Sequence, residues 1–574
     1  MKLTDEQRLT VDQDGSCLVK ACPGSGKTRA IIAKLMKVAL EVEGTPRKIA
    51  CITYTNAAVH EITRRINRAG GLPESTCEIS TIHTFCLQNV LRPFGHLLKG
   101  HVTKDFGILG PDNPELFSIG GEIFSSQINN HWFRDLLLNI KRRDQGIFHP
   151  ENIDEERATE FYNQITALGL LTFGDIVYYS EKLANSYKFI RRSLGSKFHR
   201  IIVDEFQDTS PEQASILLAI ARENRSALFL VGDENQSIFG FSDARPDIFH
   251  DFANNGEHAI VERPLTGNFR CSAHVASFSE KICPRIPPME AVGETKDFDF
   301  RVEIHNKDTA LAGITQHFLP VAESFGISRG NCAILAPQWF ELRSLGRSLS
   351  SQGIPVVGPG SRPYKRASEF THVAEAAAEC AIAPSVDAVL RLERAVNFCL
   401  SAVCRGQVRS VDAWSRRRAV CMLKREAKRL FESGVGALRW IEDMANFAAR
   451  TLSDLGMIDL AGEKQIAATG SAMAAQIQEL HRNEAATNFG IRELAIFSNP
   501  SDSIQLCTIH SAKGLEWDAV ALVDLHEGKM PHARALDVDE SKRLLYVGCT
   551  RAKKVLMLFT HDRRTPTRFL QLVR

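Results

Sequence analysis

The chain has 574 residues, 44% hydrophobic, 24% charged and 8% aromatic, an ordinary globular mixture that excludes a disordered, collagenous or coiled-coil chain. At about 150 residues per domain, this length corresponds to roughly four structural units rather than one small binding module. Lysine and arginine (70) nearly balance aspartate and glutamate (68), leaving +2, so attraction to a polyanion must come from local patches.

The N-terminal MKLTDEQRLT has no apolar leader, and no run reaches the roughly 18 apolar residues of a membrane span. The 14 cysteines fall singly, without a CxxC pair or a Cys/His cluster, as thiols do in a reducing compartment. A cytoplasmic protein without a membrane partner is expected. The first third alternates short β-branched runs with helical-period segments: CLVKA (17–21), KIACITYT (48–55), RIIVDEF (200–206) and ALFLVGD (227–233). That alternation predicts parallel strands joined by helical crossovers. Between His83 and about Phe173 the strand signal disappears, which predicts a helical insertion. A second alternating region begins near Phe300 with VEI, CAILAP and IPVVG. It resumes with IQLCTIH (504–510), AVALVDL (519–525) and KVLMLF (554–559), with a helical stretch at about 370–500 between. The fold class is therefore α/β: two parallel-sheet domains, each carrying a helical insertion.

ACPGSGKT, residues Ala21, Cys22, Pro23, Gly24, Ser25, Gly26, Lys27 and Thr28, follows a strand and opens a helical segment, the setting a phosphate-binding loop requires. Backbone amides of such a turn and the positive end of a helix wrap a polyphosphate, with Lys27 on the terminal phosphates and Thr28 on magnesium. IIVDEFQDTS then ends an apolar strand in two acids. Asp204 is placed to hold the magnesium ion, and Glu205 to orient an attacking water. Together these motifs predict a nucleoside triphosphatase that uses magnesium.

From here the sequence resembles UvrD/Rep/PcrA-type superfamily-one DNA helicases, in order through nearly the whole chain. LTDEQ with Gln7 looks like the adenine-reading Q motif. ITYTNAAVHEI (52–62), STIHTFC (80–86), TFGDIV (172–177), DEFQDT (204–209), GDENQSIFGFSDA (232–244) and TGNFRCS (266–272) follow. QLCTIHSAKGLEWDAV (505–520), ESKRLLYVGCTRAKK (540–554) and TRFL (567–570) complete the series. The resemblance implies two RecA-like P-loop domains. Motor domain one would occupy 1–85 and 173–275 around an insertion at 86–172, and motor domain two 276–369 and 503–574 around a basic insertion at 370–502. ATP would be hydrolysed between the two. By the same resemblance Gln236 senses the γ-phosphate, Arg270 and Arg551 are arginine fingers, Phe269 lies against adenine and Glu516 contacts the ribose. Tyr54, Thr55, Asn56, His83, Phe239, Phe241 and His510 would touch DNA, the aromatic rings by stacking on bases. Ala57 stands where the family usually carries lysine, and Phe239 where it usually carries tyrosine.

The implied function is an ATP-dependent translocase or helicase of DNA-repair type, moving 3′ to 5′ on single-stranded DNA or tailed duplex. Compact proteins of this kind also resemble the helicase-like subunit of Gabija-type antiviral defence systems. The alternative implied there is a DNA-stimulated ATPase sensor that controls a partner OLD-family nuclease. A small-molecule P-loop kinase leaves HSAKGLEW and the paired arginines unexplained. In the second insertion, 12 lysines and arginines stand against four acids between Arg391 and Arg439, a charge that suits a duplex backbone or an acidic partner.

Overall fold

The structure is a computed structural model. It describes residues 2–573 except 74, 99–105, 111–112, 126–130, 145, 150–152, 224–225, 239–246, 249–259, 359–360, 365–368, 404–411, 484–488 and 534–536, and except the side chains of 131, 132, 135 and 480–483. Two compact units result: Met1–Arg270 with Cys283–Lys296, and Cys271–Ile282 with Asp297–Arg574. The chain passes between them after Arg270, Ile282 and Lys296.

The first unit is built on β1 (Ser16–Ala21), β2 (Lys48–Thr53), β3 (Cys77–Thr81), β4 (Phe198–Val203), β5 (Ala227–Gly232) and β6 (Ile260–Leu265). They form one sheet in the order β6-β1-β5-β4-β2-β3, every neighbouring pair parallel. Side chains alternate between its faces. Leu18, Ile201, Leu228 and Leu230 enter one hydrophobic core; Cys17, Val19, Ile202, Phe229 and Val231 enter another. Burial on both faces is why the central strands read as unbroken apolar runs. Strands β3 and β6 escaped that pattern because they are edges: CEIST offers one large aliphatic side chain, and IVERPL carries charges and Pro264, which an edge tolerates.

Within 86–172 the helices Pro114–Phe124 and Glu155–Ala167 enclose a separate core running from Leu109 to Ile165. The expected loss of strand there is corrected in detail. Gly107–Ile108 pairs with Leu170–Leu171, and Lys141–Arg143 with Gly146–Phe148. Strands this short give no periodic signature. Cys86, Val90 and Leu91 pack against the main sheet instead of that core.

The second unit carries β7 (Glu303–Lys307), β8 (Cys332–Ala336), β9 (Val356–Val357), β10 (Ile504–Thr508), β11 (Trp517–Leu522) and β12 (Ala552–His561). Their order is β7-β12-β11-β8-β10-β9, again with every pair parallel. Between β9 and β10 come the helices Thr371–Ile382, Val386–Val403, Ala413–Glu432, Ala437–Asp454, Leu460–Asn483 and Ile491–Ile496, which share one core from Tyr364 to Phe497. Among the described residues no helix is long and apolar enough to cross a membrane.

Candidate nucleotide site

β1 ends at Ala21, and a tight turn leads into the helix Lys27–Val42. Gly24 (φ 69°) and Gly26 (φ 80°) hold left-handed backbone that other residues adopt only with strain. They also meet close neighbours: a Cβ on Gly24 would lie 2.6 Å from the Arg270 Cβ, and one on Gly26 2.7 Å from Gln7 Nε2. Gln7 caps its own helix reciprocally with Thr4 and donates Nε2 to the Ser25 carbonyl at 2.9 Å. Phe269 N donates to the Gly24 carbonyl at 2.9 Å, and Cys22 N to Leu265 at 2.9 Å. Thr266, between them, gives its amide and hydroxyl to the Glu6 carboxylate. The helix Asp5–Asp12, the glycine turn and the 266–270 segment are thus one hydrogen-bonded body. Ala21, Cys22 and Pro23 are buried, and Thr28 is half-buried in the first helical turn. Ser25 Oγ is buried in the turn without a hydrogen-bond partner, a donor suited to a phosphate oxygen.

The acids arrive from β4. Asp204 N donates to Ile52 O at 2.9 Å, and Asp204 Oδ1 accepts from Glu205 N at 2.9 Å. Glu205 has φ 51°, a strained conformation for a non-glycine residue that sets its side chain after the strand. Its Oε2 accepts from Lys27 Nζ at 3.0 Å and from Gln207 Nε2 at 2.6 Å. Burial, then the neighbouring Glu205 charge, push the Asp204 carboxyl up to about 7 against the pull of Lys27. Burial acts to lower the Lys27 pKa, but the carboxylates of Glu205, Asp233 and Asp204 outweigh it and hold the ammonium above its ordinary value. A divalent cation would relieve the crowding of Asp204 and Glu205, and the hard oxygens of Thr28 and Asp204 suit magnesium. The residues present therefore fit both a polyphosphate and its metal.

β5 delivers Asp233, whose amide donates to Gln207 Oε1 at 2.9 Å. Its Oδ2 accepts from Gln236 Nε2 at 2.7 Å and its Oδ1 from Arg285 at 3.0 Å. Lys27, Glu205, Gln207, Asp233 and Gln236 form one continuous hydrogen-bonded relay. The UvrD/REP helicase N-terminal domain model matches residues 3–257, and the UvrD-like helicase C-terminal domain model matches residues 454–563. The chain belongs to the UvrD-like helicase family. Relatives span both units. The ATP-dependent DNA helicase Rep of Escherichia coli is 23% identical over 97% of this chain and 90% of its own length. DNA helicase II of the same organism is 24% identical over 98% of this chain and 85% of its own. A probable DNA helicase II homologue of Rickettsia conorii is 22% identical over 97% and 92%.

In the first unit of this UvrD-like chain, Phe269 is 39% exposed beside the glycine turn. Arg270 N donates to Asn268 Oδ1 at 2.7 Å. Tyr54 lines a crevice with Thr53, Asp204 and Glu205. Thr55 caps the helix that starts at Asn56 by accepting from Ala58 N. His83 packs edge-on to Phe173 at 5.5 Å, and burial, then the Lys141 charge, push its pKa down to about 4. Phe239 and Phe241 lie outside the described residues.

In the second unit Arg551 is 1% exposed and donates to Val547 O (2.9 Å), Leu515 O (3.2 Å) and Thr550 Oγ1 (3.1 Å). Glu516 pairs with Lys553 at 3.0 Å, and the half-buried His510 is lowered in pKa by burial and then by Lys513. Sequence reasoning missed Glu6, Gln207 and Arg285, which hold the site. Glu6 and Gln207 sit inside motifs that were read for their neighbours, whereas Arg285 follows no local pattern.

Proposed function

We propose that the first unit binds ATP with magnesium and hydrolyses it, and that the chain spends this hydrolysis on moving 3′ to 5′ along single-stranded DNA and opening tailed duplexes. The observation that carries the reading is the relay from Lys27 through Glu205, Gln207 and Asp233 to Gln236, assembled on a glycine turn at a helix start. Lys27 and the turn bind the phosphates, and Thr28 and Asp204 hold the metal. Magnesium, when bound, would neutralise phosphate charge; Glu205 takes a proton from the attacking water. Glu205 is already hydrogen-bonded by Lys27 and Gln207, so its carboxylate is oriented. Gln236, fixed by Asp233, reads the terminal phosphate, and Arg270 stabilises the charge that spreads over it. Gln7 and Phe269 bind adenine, Glu516 the ribose, and Arg551 acts as a second finger. Tyr54, Thr55, Asn56, His83, Phe239, Phe241 and His510 contact the strand. The helical segments 86–172 and 370–502 are insertions in two motor domains.

One assay series tests this: ATPase activity with no DNA, single strands, blunt duplex and tailed duplex, with strand displacement followed in each. Single strands and 3′-tailed duplex are expected to stimulate hydrolysis, and the tailed duplex to be opened. Stimulation without displacement would replace the motor with a DNA-gated ATPase serving a partner nuclease. Glu205→Gln should retain ATP binding and lose about a hundred-fold or more in turnover; normal turnover would remove Glu205 from the base role.

A further inference from the structure

The segment Cys283–Lys296 belongs to the first unit, while the chain on either side of it, Cys271–Ile282 and everything from Asp297, belongs to the second. This strap is bound to the nucleotide site along its length. Its Cys283 carbonyl accepts from Asn235 Nδ2 at 3.3 Å. Glu290 N and Val292 N donate to Thr266 O and Asn268 O, which pairs Gly267–Asn268 with Glu290–Ala291 as parallel strands. Thr295 Oγ1 donates to the Arg270 carbonyl at 2.7 Å. A Cβ on Gly293 would collide with the Phe269 carbonyl, so the strap lies flat on the 266–270 segment.

Its charged anchor is Arg285. One terminal nitrogen donates to the Ala21 carbonyl at 3.2 Å, at the last residue of β1 before the glycine turn, and the other to Asp233 Oδ1 at 3.0 Å. The guanidinium side chain is 12% exposed and the Asp233 side chain 1%. Asp233 is committed on every side, to Arg285 and Asn235 N through Oδ1 and to Gln236 through Oδ2. A planar fork reaches the strand end and the carboxylate together, which an ammonium cannot do with the same geometry.

We propose that Arg285 is a positioning residue for hydrolysis, acting through Asp233 on Gln236. The strap that carries it is joined at both ends to chain of the second unit. The inference rests on the reading of the first unit as an ATP hydrolase. Arg285 touches no reacting atom; it fixes the distance between the phosphate turn and the residue that reads the terminal phosphate. Such placement is worth about ten- to a hundred-fold in rate when it loosens by an ångström.

The test uses the full chain with single-stranded DNA. Arg285→Met is expected to lower kcat by about ten- to a hundred-fold, with the Kd for a fluorescent ATP analogue within about three-fold and the melting temperature close to that of the unchanged chain. In the double variant Arg285→Met with Gln236→Ala, turnover should be no lower than in the slower single variant, because both act on one contact. Unchanged kcat, or losses that multiply in the double variant, would overturn the inference. Should Arg285→Met fail to fold, Arg285→Lys takes its place in both comparisons: it keeps the charge and gives up the fork, so a several-fold loss in kcat is expected and unchanged kcat overturns. If the unchanged chain hydrolyses no ATP, the hydrolase reading itself fails; activity indifferent to Arg285 sinks only this inference.

Discussion

Both units end their parallel strands in polar clusters, yet the two clusters are built for different ends. In the first, Lys27 opens a helix behind two left-handed glycines and faces the carboxylates of Glu205, Asp233 and Asp204. In the second, Lys529 donates to Gln338 Oε1 at 3.0 Å and pairs with Glu341, while the buried His526 sits 2.6 Å from an Arg564 nitrogen. The sheets are alike; the loops differ. A lysine at the start of a helix, beside a turn that admits no Cβ, can hand its charge to a phosphate. Lys529 ties its own loop to the start of the helix Trp339–Ser351, which Gln338 precedes and Glu341 belongs to. Architecture supplies positions at strand ends, and the loop residues decide whether a position is chemistry or structure.

The sharpest way to break that comparison is to remove each lysine. Lys27→Ala should abolish hydrolysis in a chain that still melts cooperatively, since its partners are the acids of the site. Residual turnover near that of the unchanged chain would place the phosphate site elsewhere. Next in size is Arg551→Ala, expected to cut turnover by about a thousand-fold or more, the range of arginine fingers, with ATP binding nearly unchanged. The side chain is 1% exposed and bonded to the Val547 and Leu515 carbonyls and the Thr550 hydroxyl within its own unit, so its loss should also lower the melting temperature. A variant that melts earlier but turns over normally would make Arg551 a brace and not a finger.

Much of this was legible beforehand, for identifiable reasons. The central strands announced themselves because both faces are buried, so Leu18–Val19 and Leu228–Val231 carry no polar interruption. The glycine turn and the DEFQDT acids were readable because their chemistry demands fixed residue types at fixed local spacing. What sequence could not display were partners brought together over distance: Thr266 on Glu6 and Arg285 on Asp233 are separated by 260 and 52 positions. Nor could it display that Arg551 turns inward, because a guanidinium bonded to carbonyls and one poised over a ligand share the same letters. The edges β3 and β6 were lost because half-exposed strands carry too few aliphatic side chains to register.

A smaller effect sharpens the contrast from the second unit. Lys529→Met leaves Glu341 without its ammonium and should cost about 1–3 kcal/mol in stability, the usual range for a charged hydrogen bond. ATPase activity per folded molecule should stay the same. Lost turnover at unchanged stability would mean that the second cluster also serves hydrolysis.

The smallest expected effect is a pH slope. His526 is buried, and burial, followed by the charges of Arg564, His561 and Lys529, pushes its pKa from 6.5 down to about 4. The geometry agrees, because an arginine nitrogen 2.6 Å from Nε2 requires a lone pair on that ring atom. Between about pH 6.5 and pH 4 the unfolded chain therefore binds a proton that the folded chain refuses. Stability contributed by the neutral ring is complete above the unfolded pKa and declines as pH falls through this window, amounting to about 1 kcal/mol at pH 6. His526→Gln, which keeps a neutral acceptor for Arg564, should flatten the fall in melting temperature between pH 7.5 and pH 5. It should not abolish the fall, since the similarly lowered His83 contributes the same sign from the first unit. Thermal melts of both chains at several pH values measure the difference; parallel pH profiles would mean that His526 takes up its proton equally in the folded and the unfolded chain and that Arg564 lies elsewhere.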